Sequence, residues 1–375
     1  MSKIALLLSG GVDSSVALHM LCQVGEKPDC YYIHIGPDED DSYSCTSEED
    51  IEMASAVAKK YDCKFDIIDL HKEYWDRVVK YTMDTIKRGF TPNPDVMCNT
   101  LIKFGAFYDK VGYKYDYIAT GHYATRCGYL KDGCTLKDYD NEEWWICPAK
   151  DPIKDQVDFI ANIDTKKIPV SKIIFPIGNL MKDEVRKIAE ENHLINAKRK
   201  DSQGICFLGK INYNDYIEKY LGKKKGEIID IDTCKCIGNH NGYWFHTIGQ
   251  RKGLGLSGGP WFVVGKDINK NIVYVSKNQD RNASNNIIIG NINWLTCNLI
   301  DDYKKCINRD SEIICNISFK IRHSPEVYYG KLMYIDDPEK LVILTDEPIT
   351  VAPGQYCILY DDTYSHCYGC GEIMI

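Results

Sequence analysis

Within its first fifteen residues the chain runs Leu6-Leu7-Leu8-Ser9-Gly10-Gly11-Val12-Asp13-Ser14-Ser15, close behind an apolar start at Ile4. That leaves room for one strand, a two-glycine turn and a helix, whose run Val16-Ala17-Leu18-His19-Met20-Leu21 follows at once. A strand that ends in glycines and feeds a helix brings unpaired N–H groups and a positive dipole end to one point. Ser9, Ser14 and Ser15 add hydroxyl donors, so the turn is built to hold a multiply charged anion. No Gly-Lys-Ser or Gly-Lys-Thr closes it, which sets it apart from the Walker-type loop that grips a transferable γ-phosphate. The plainer reading is a Gly-Ser turn between strand and helix. It leaves the three hydroxyls unexplained.

Strand and helix signals alternate over the first two hundred residues. Cys30 to Ile35, Lys64 to Asp69 and Tyr117 to Thr120 read as strands, the first two of them buried. Ser47 to Tyr61, Glu73 to Arg88, Thr100 to Val111 and Asp183 to His193 read as helices. This alternation predicts an α/β fold with a doubly wound parallel sheet and ligands at the carboxyl ends of its strands. The Ser-Gly-Gly turn and Gly121-His122-Tyr123-Ala124 both fall at such ends, so one cleft can hold both. After about residue 210 glycines and short β-rich pieces take over, and from about 283 short strands alternate with turns. We expect domains at 1–210, 211–282 and 283–375, the second small and β-rich and the third a β-barrel.

The 375 residues suit two or three domains with their own cores, and 44% apolar with 27% charged residues is a globular balance. No apolar run approaches the roughly 18 residues of a membrane span. The start shows neither an apolar leader nor an Arg-rich presequence, so we expect a cytoplasmic protein without a membrane partner. The 17 cysteines then read mainly as small buried hydrophobes in a reducing compartment. A net charge of −8 argues against indiscriminate nucleic-acid coating but leaves room for local basic surfaces. Lys198-Arg199-Lys200, Lys223-Lys224-Lys225 and Arg251-Lys252 are the candidates, with solvated faces as the commoner explanation of such runs.

Two segments present thiols. Thr91-Pro92-Asn93-Pro94-Asp95-Val96-Met97-Cys98-Asn99 is a proline-pinned loop that places Asp95 and Cys98 just before a helix, where a thiol pKa falls. Asp201-Ser202-Gln203-Gly204-Ile205-Cys206-Phe207-Leu208-Gly209 sets a second cysteine after a basic cluster. A structural Asp cap beside a buried Cys fits the first segment equally well. Two placed thiols beside an anion-binding turn suggest sulfur handling, one thiol carrying sulfur and the other releasing it. Cys234-Lys235-Cys236 is too tight for a zinc knuckle, and His366-Cys367-Tyr368-Gly369-Cys370 lacks a second CxxC. We therefore expect no metal site in the protein.

The first turn resembles the SGGxDSS pyrophosphate loop (PP-loop) of ATP pyrophosphatases. Together with TPNPDVMCN, TGHYA, DSQGICFLG and Gly249-Gln250-Arg251-Lys252-Gly253-Leu254-Gly255-Leu256, in this order, the chain resembles the tRNA-specific 2-thiouridylase family from residue 4 to about 360. The resemblance implies an adenine nucleotide α-hydrolase-like domain, a central β domain that meets tRNA, and a C-terminal β-barrel. It implies ATP with Mg²⁺, bound through Leu7, Leu8, Ser9, Gly10, Gly11, Val12, Asp13 and Ser14, with Ile33 and Gly121 lining the nucleotide pocket. Asn93, Pro94 and Asp95 would face the target uridine, Cys98 would be nucleophile or resolving thiol, and Cys206 would carry a persulfide. His122, Lys154, Asp155, Gln156, Arg322, His323 and Gln355 match positions that meet tRNA in the family. The implied partners are the anticodon arm of tRNAs for Lys, Glu and Gln, a cysteine desulfurase or relay protein, and a cellular reductant.

Three stretches depart from the family pattern. Val157-Asp158-Phe159-Ile160 stands where Ser-Tyr-Phe-Leu is usual, Ile33 replaces a methionine, and the segment between Arg126 and Lys154 is longer and richer in cysteine. Two rival readings share parts of the pattern. A small-molecule ligase of the argininosuccinate synthase type explains the loop but not Cys98 and Cys206. A non-catalytic RNA-binding scaffold needs neither the loop nor the thiols.

Overall fold

The computed structural model describes residues 2–36, 47–130, 142–200, 213–305, 312–335, 337 and 339–374. Its first part runs β1 (Ile4–Leu7), α1 (Val12–Gln23), β2 (Asp29–His34), α2 (Ser47–Lys60) and β3 (Phe65–Asp69). A continuous helical stretch follows, α3 (His71–Tyr74), a π-helical turn (Trp75–Val79) and α4 (Lys80–Lys87). A second one comprises α5 (Pro94–Cys98), a π-helical stretch (Asn99–Ala106) and α6 (Phe107–Lys110), and leads to β4 (Tyr117–Thr120). Next come β5 (Thr125–Leu130), β6 (Glu142–Cys147), α7 (Val157–Ile160), β7 (Ile173–Ile174) and α8 (Lys182–Glu191).

Strands β3-β2-β1-β4-β7 form one sheet in which every pairing is parallel. Successive side chains of a strand point to opposite faces, and β1 shows the consequence. Ile4, Leu6 and Leu8 pack with α1, α2 and α8, while Ala5 and Leu7 pack with the helical stretches between residues 71 and 110. The doubly wound expectation holds. One detail differs: β3 is an edge strand, and its Ile67 is 51% exposed. A strand with a single neighbour needs no continuous buried face.

The central part contains α9 (Tyr213–Leu221) and β8 (Gly226–Asp230), β9 (Lys235–His240), β10 (Phe262–Asp267) and β11 (Ile272–Ser276) in the order β10-β11-β8-β9. The last part contains β12 (Ser284–Trp294), α10 (Leu299–Lys305), β13 (Ile313–Lys320), β14 (Tyr328–Tyr334), β15 (Lys340–Ile349), β16 (Tyr356–Tyr360) and β17 (Cys367–Ile373). Strands β12-β15-β14-β13-β16-β17 close through the β12–β17 pairing, which removes free sheet edges. Ile287, Ile317, Phe319, Leu332, Ile343 and Leu359 fill its interior.

The β5–β6 hairpin belongs to the first part in sequence but joins the barrel sheet, Ile146 pairing with Cys367 of β17. Cys127 and Cys147, at opposite strands of this hairpin, form a disulfide, an exception to the expectation of reduced cysteines. Cys367 and Cys370 are wholly buried in the core between the parallel-sheet part and the barrel. Among the described residues no helix is long and apolar enough to cross a membrane.

Candidate active site

The turn after β1 is held from several sides. Gly10 has φ +76°, and a Cβ there would meet the Asp50 carbonyl oxygen at 2.4 Å. Gly121, at the end of β4, lies so close that its Cβ would meet Ser14 N at 2.7 Å. Both positions therefore exclude a side chain. Ser14 Oγ donates to Gly11 O (3.1 Å) and accepts from Ser9 N (3.2 Å), and Ser15 Oγ donates to Gly11 O (3.0 Å). Leu8 and Val12 are buried core side chains, so only their backbone can serve a ligand. Ile33 sits at the carboxyl end of β2, partly buried. α1 starts at Val12, directly behind Gly11, and its first-turn N–H groups are those a helix leaves without internal partners. A polyphosphate fits this cradle.

Four further residues frame the turn, of which local pattern singled out Tyr123 and Arg199 but not Lys182 and Asn196. Lys182 Nζ donates to Asp13 Oδ1 at 2.6 Å, and Tyr123 O–H donates to the same oxygen at 2.9 Å. Buried Asn196 donates to Gly10 O (2.7 Å) and Ser15 Oγ (2.8 Å). Arg199 pairs with Asp50, so the middle residue of the 198–200 basic run is structural while Lys198 and Lys200 are exposed. Asp13 Oδ1 is engaged by a cation and a phenol at the start of α1. Among the described residues no group of three His, Cys, Asp or Glu is placed to hold a metal ion.

The proline-pinned segment folds differently from expectation. α5 begins at Pro94, whose missing N–H costs nothing at a first helical position, and Asn93 Oδ1 caps it by accepting from Val96 N at 3.2 Å. Cys98 is therefore in the second turn and not before the helix start, where the dipole field has faded. It is 1% exposed and packs with Val96, Met97 and Ile102, and with Ile358 and Cys370 of the barrel, in one core. Asp95 is half-buried on the first turn. The π-helical stretch that follows Cys98 is a form of helix found often at functional sites.

The barrel holds this segment from outside. Gln355 Nε2 donates to Thr91 O (3.0 Å) and Pro92 O (2.9 Å), and Thr91 N donates to Pro353 O (2.9 Å). His122 is buried, its Nδ1 2.9 Å from Thr120 Oγ1 and its Nε2 3.5 Å from Lys103 Nζ. An ammonium only donates, so Nε2 accepts and the proton sits on Nδ1. Burial, with Lys103 second, holds this imidazole well below its ordinary pKa.

The residues expected to meet tRNA divide into two groups. Asp155 is fully buried and accepts from Lys320 Nζ (3.0 Å), Tyr364 O–H (3.0 Å) and Ala149 N (3.1 Å), which makes it a bridge to the barrel rather than a contact surface. Gln156 exchanges two bonds with the Tyr123 backbone. His122 is buried as well, while Gln156 and Gln355 are half-buried with their amides bonded to backbone. Lys154, Arg322 and His323 retain exposed surface, Arg322 pairing with Glu326 and His323 donating to Asp158 at 2.8 Å. The Cys206 segment lies outside the described residues.

Residues 2–210 match the family model described as the tRNA methyl transferase HUP domain. Residues 214–277 match its PRC-barrel domain and 284–373 the aminomethyltransferase β-barrel domain. The chain is 52% identical over 373 residues to a Porphyromonas gingivalis (strain W83) protein named tRNA-specific 2-thiouridylase MnmA, covering 99% of this chain and 98% of that one. The chain belongs to the tRNA-specific 2-thiouridylase family. Two more members are similar over 99% of both chains. The Bacteroides thetaiotaomicron one (named MnmA 1) is 50% identical and the Parabacteroides distasonis one 51%. For this family the HUP match implies ATP, and the two-glycine turn at the α1 N-terminus is the place that fits its phosphates.

Proposed function

We propose that the chain is a tRNA-uridine 2-sulfurtransferase that replaces the C2 oxygen of the wobble uridine with sulfur. The observation that carries this reading is full-length identity of 50–52% to relatives named tRNA-specific 2-thiouridylase. The site supports it chemically, with an anion cradle at one strand end and a buried thiol on a capped helix. Oxygen leaves a uridine carbonyl poorly. Adenylation of that oxygen by ATP, with pyrophosphate released into the Ser9–Ser14 turn, makes AMP the leaving group. Mg²⁺ would arrive with the ATP phosphates, whose charge it offsets.

Sulfur reaches C2 from a Cys206 persulfide, by direct attack or as sulfide displaced by the Cys98 thiolate. On either route a new C2–S bond forms as the C2–O bond breaks, and a Cys98–Cys206 disulfide is left for a cellular reductant to open. Asn93, Pro94 and Asp95 face the uridine, and Lys154, Arg322 and His323 meet the anticodon arm of tRNAs for Lys, Glu and Gln. Of the rest of the predicted contact set, Gln355 acts by holding the Thr91-Pro92 loop, and Asp155 by bridging to the barrel. A cysteine desulfurase or relay protein supplies the persulfide, and the reaction takes place in the cytoplasm. We assign nucleotide binding to 1–210, a further RNA-contacting surface to 211–282, and support of the catalytic loop together with the Arg322 and His323 contacts to 283–375.

The test is mass analysis of nucleosides from unmodified tRNA incubated with protein, ATP-Mg²⁺ and a sulfur donor. Thiouridine is expected with the wild type, and not without ATP or with Cys98→Ala or Cys206→Ala. Full thiouridine from both variants would remove the thiols from the mechanism. Its absence from the wild-type reaction would reject the function.

A further inference from the structure

A cavity of about 220 Å³ is lined in part by the Thr91-Pro92 segment that the barrel clasps. Phe90, Thr91 and Pro92 form one wall, Tyr213 at the start of α9 a second, and Trp244 to Thr247 with Gln250 a third. The volume is below the roughly 300–1,000 Å³ of pockets for drug-sized ligands and suits one planar heterocycle. Its lining is aromatic with polar edges. Trp244 Nε1 and His246 Nδ1 are buried and have no hydrogen-bond partner among the described residues. Such atoms are costly unless a ligand or water satisfies them.

Burial, with His240 and Lys266 nearby, pushes the His246 imidazole down to about 4. It is neutral at physiological pH and offers one donor and one acceptor nitrogen. Cations stand beside the lining. Arg251 and Lys252 are exposed directly after Gln250, and the Arg88 guanidinium lies 5.1 Å from the Phe90 ring centre. Pro92 is three residues from Asp95, so their Cα atoms are at most about 11 Å apart. A neighbouring nucleotide of a splayed strand spans that distance.

We propose that this cavity receives the unstacked base of a nucleotide adjacent to the target uridine, with Arg251 and Lys252 holding the flanking phosphates. The proposal rests on the reading that the chain thiolates a wobble uridine. Aromatic faces accept any base by stacking, while the polar lining residues Thr91, Thr247 and Gln250 offer groups for its edge. The arrangement splits recognition between two bases. One is brought to Asp95 and Cys98, and its neighbour fixes the register.

The test uses an anticodon stem-loop RNA with one abasic residue placed at each loop position in turn, binding being followed by fluorescence anisotropy. At one position next to the target uridine, base removal is expected to weaken wild-type binding about 5- to 150-fold, the range of a base–aromatic stack. For Phe90→Ala and Trp244→Phe, the penalty at that position should shrink, because each variant has already lost part of the interaction. If wild type forms 2-thiouridine but no abasic position couples to either variant, the cavity is not a base site. If wild type forms none on intact RNA with a competent sulfur donor, the functional reading itself fails and the base site with it.

Discussion

His323 Nδ1 donates to Asp158 Oδ2 at 2.8 Å, joining the barrel to α7 across 165 residues of sequence. Asp158 is buried, so a half-exposed imidazole has a buried anionic partner. The hydrogen bond to Asp158 raises the His323 pKa against the opposing effect of burial. A raised histidine pKa adds stability that is complete below about pH 6.5 and is lost as pH climbs through the raised value. The same proton gives RNA a cationic contact. In Asp158→Asn the His323 ring, followed by NMR, is expected to titrate at lower pH than in wild type. RNA affinity should then fall at a lower pH as well. An unchanged midpoint would dissociate the two residues.

Asp155 and Lys320 form the second bridge to the barrel, both at most 2% exposed. Removing one partner of such a pair leaves an uncompensated buried charge, at a cost of about 3–5 kcal/mol. Lys320→Met is expected to lower the urea midpoint sharply. Asp155→Leu with Lys320→Met should recover most of the loss, since no charge is stranded. A double variant worse than the single one would mean that Tyr364 and Ala149 depend on the carboxylate more than Lys320 does.

Gln355 presents a clean choice between positioning and contact. Its two donated bonds end on Thr91 and Pro92, immediately before the cap of the helix that carries Cys98. Gln355→Glu keeps the size but cannot donate, so it should behave like Gln355→Ala. Misplacement of a catalytic group by an ångström costs on the order of 100-fold. Both variants are expected to lower kcat by about 10- to 100-fold with KM for RNA nearly unchanged. A raised KM with kcat intact would instead make Gln355 an RNA contact.

The strand–turn–helix at residue 4 and the alternation behind it were legible because their signals are local, a glycine pair at a strand end and periods of two and 3.6. Pro94 misled because proline reads as loop, although it opens a helix well. The β5–β6 hairpin was invisible as part of the barrel, since its bridge from Ile146 to Cys367 has no local mark. For the same reason Asp155 and Gln355 looked like surface groups. Their partners, Lys320 and the Thr91-Pro92 carbonyls, are supplied by distant chain. Resemblance names positions but not which of them are buried.

Lys182 shows the same limit at the anion cradle, 169 residues from the Asp13 it meets. Its side chain is 13% exposed and its ammonium is at the end of α1 where phosphates would bind. In the absence of phosphate Asp13 neutralises it, and a polyphosphate competes for the same cation. Lys182→Met removes the cation and leaves the Asp13 carboxylate facing an anion. Loss of a charge-assisted bond of roughly 1.5–3 kcal/mol corresponds to about 10- to 150-fold weaker binding of a non-hydrolysable ATP analogue. Adding Asp13→Asn to that variant should restore part of the affinity by removing the repulsion. Calorimetric titration of the two variants against wild type checks both statements. Wild-type affinity in Lys182→Met would assign the lysine to helix-end packing alone.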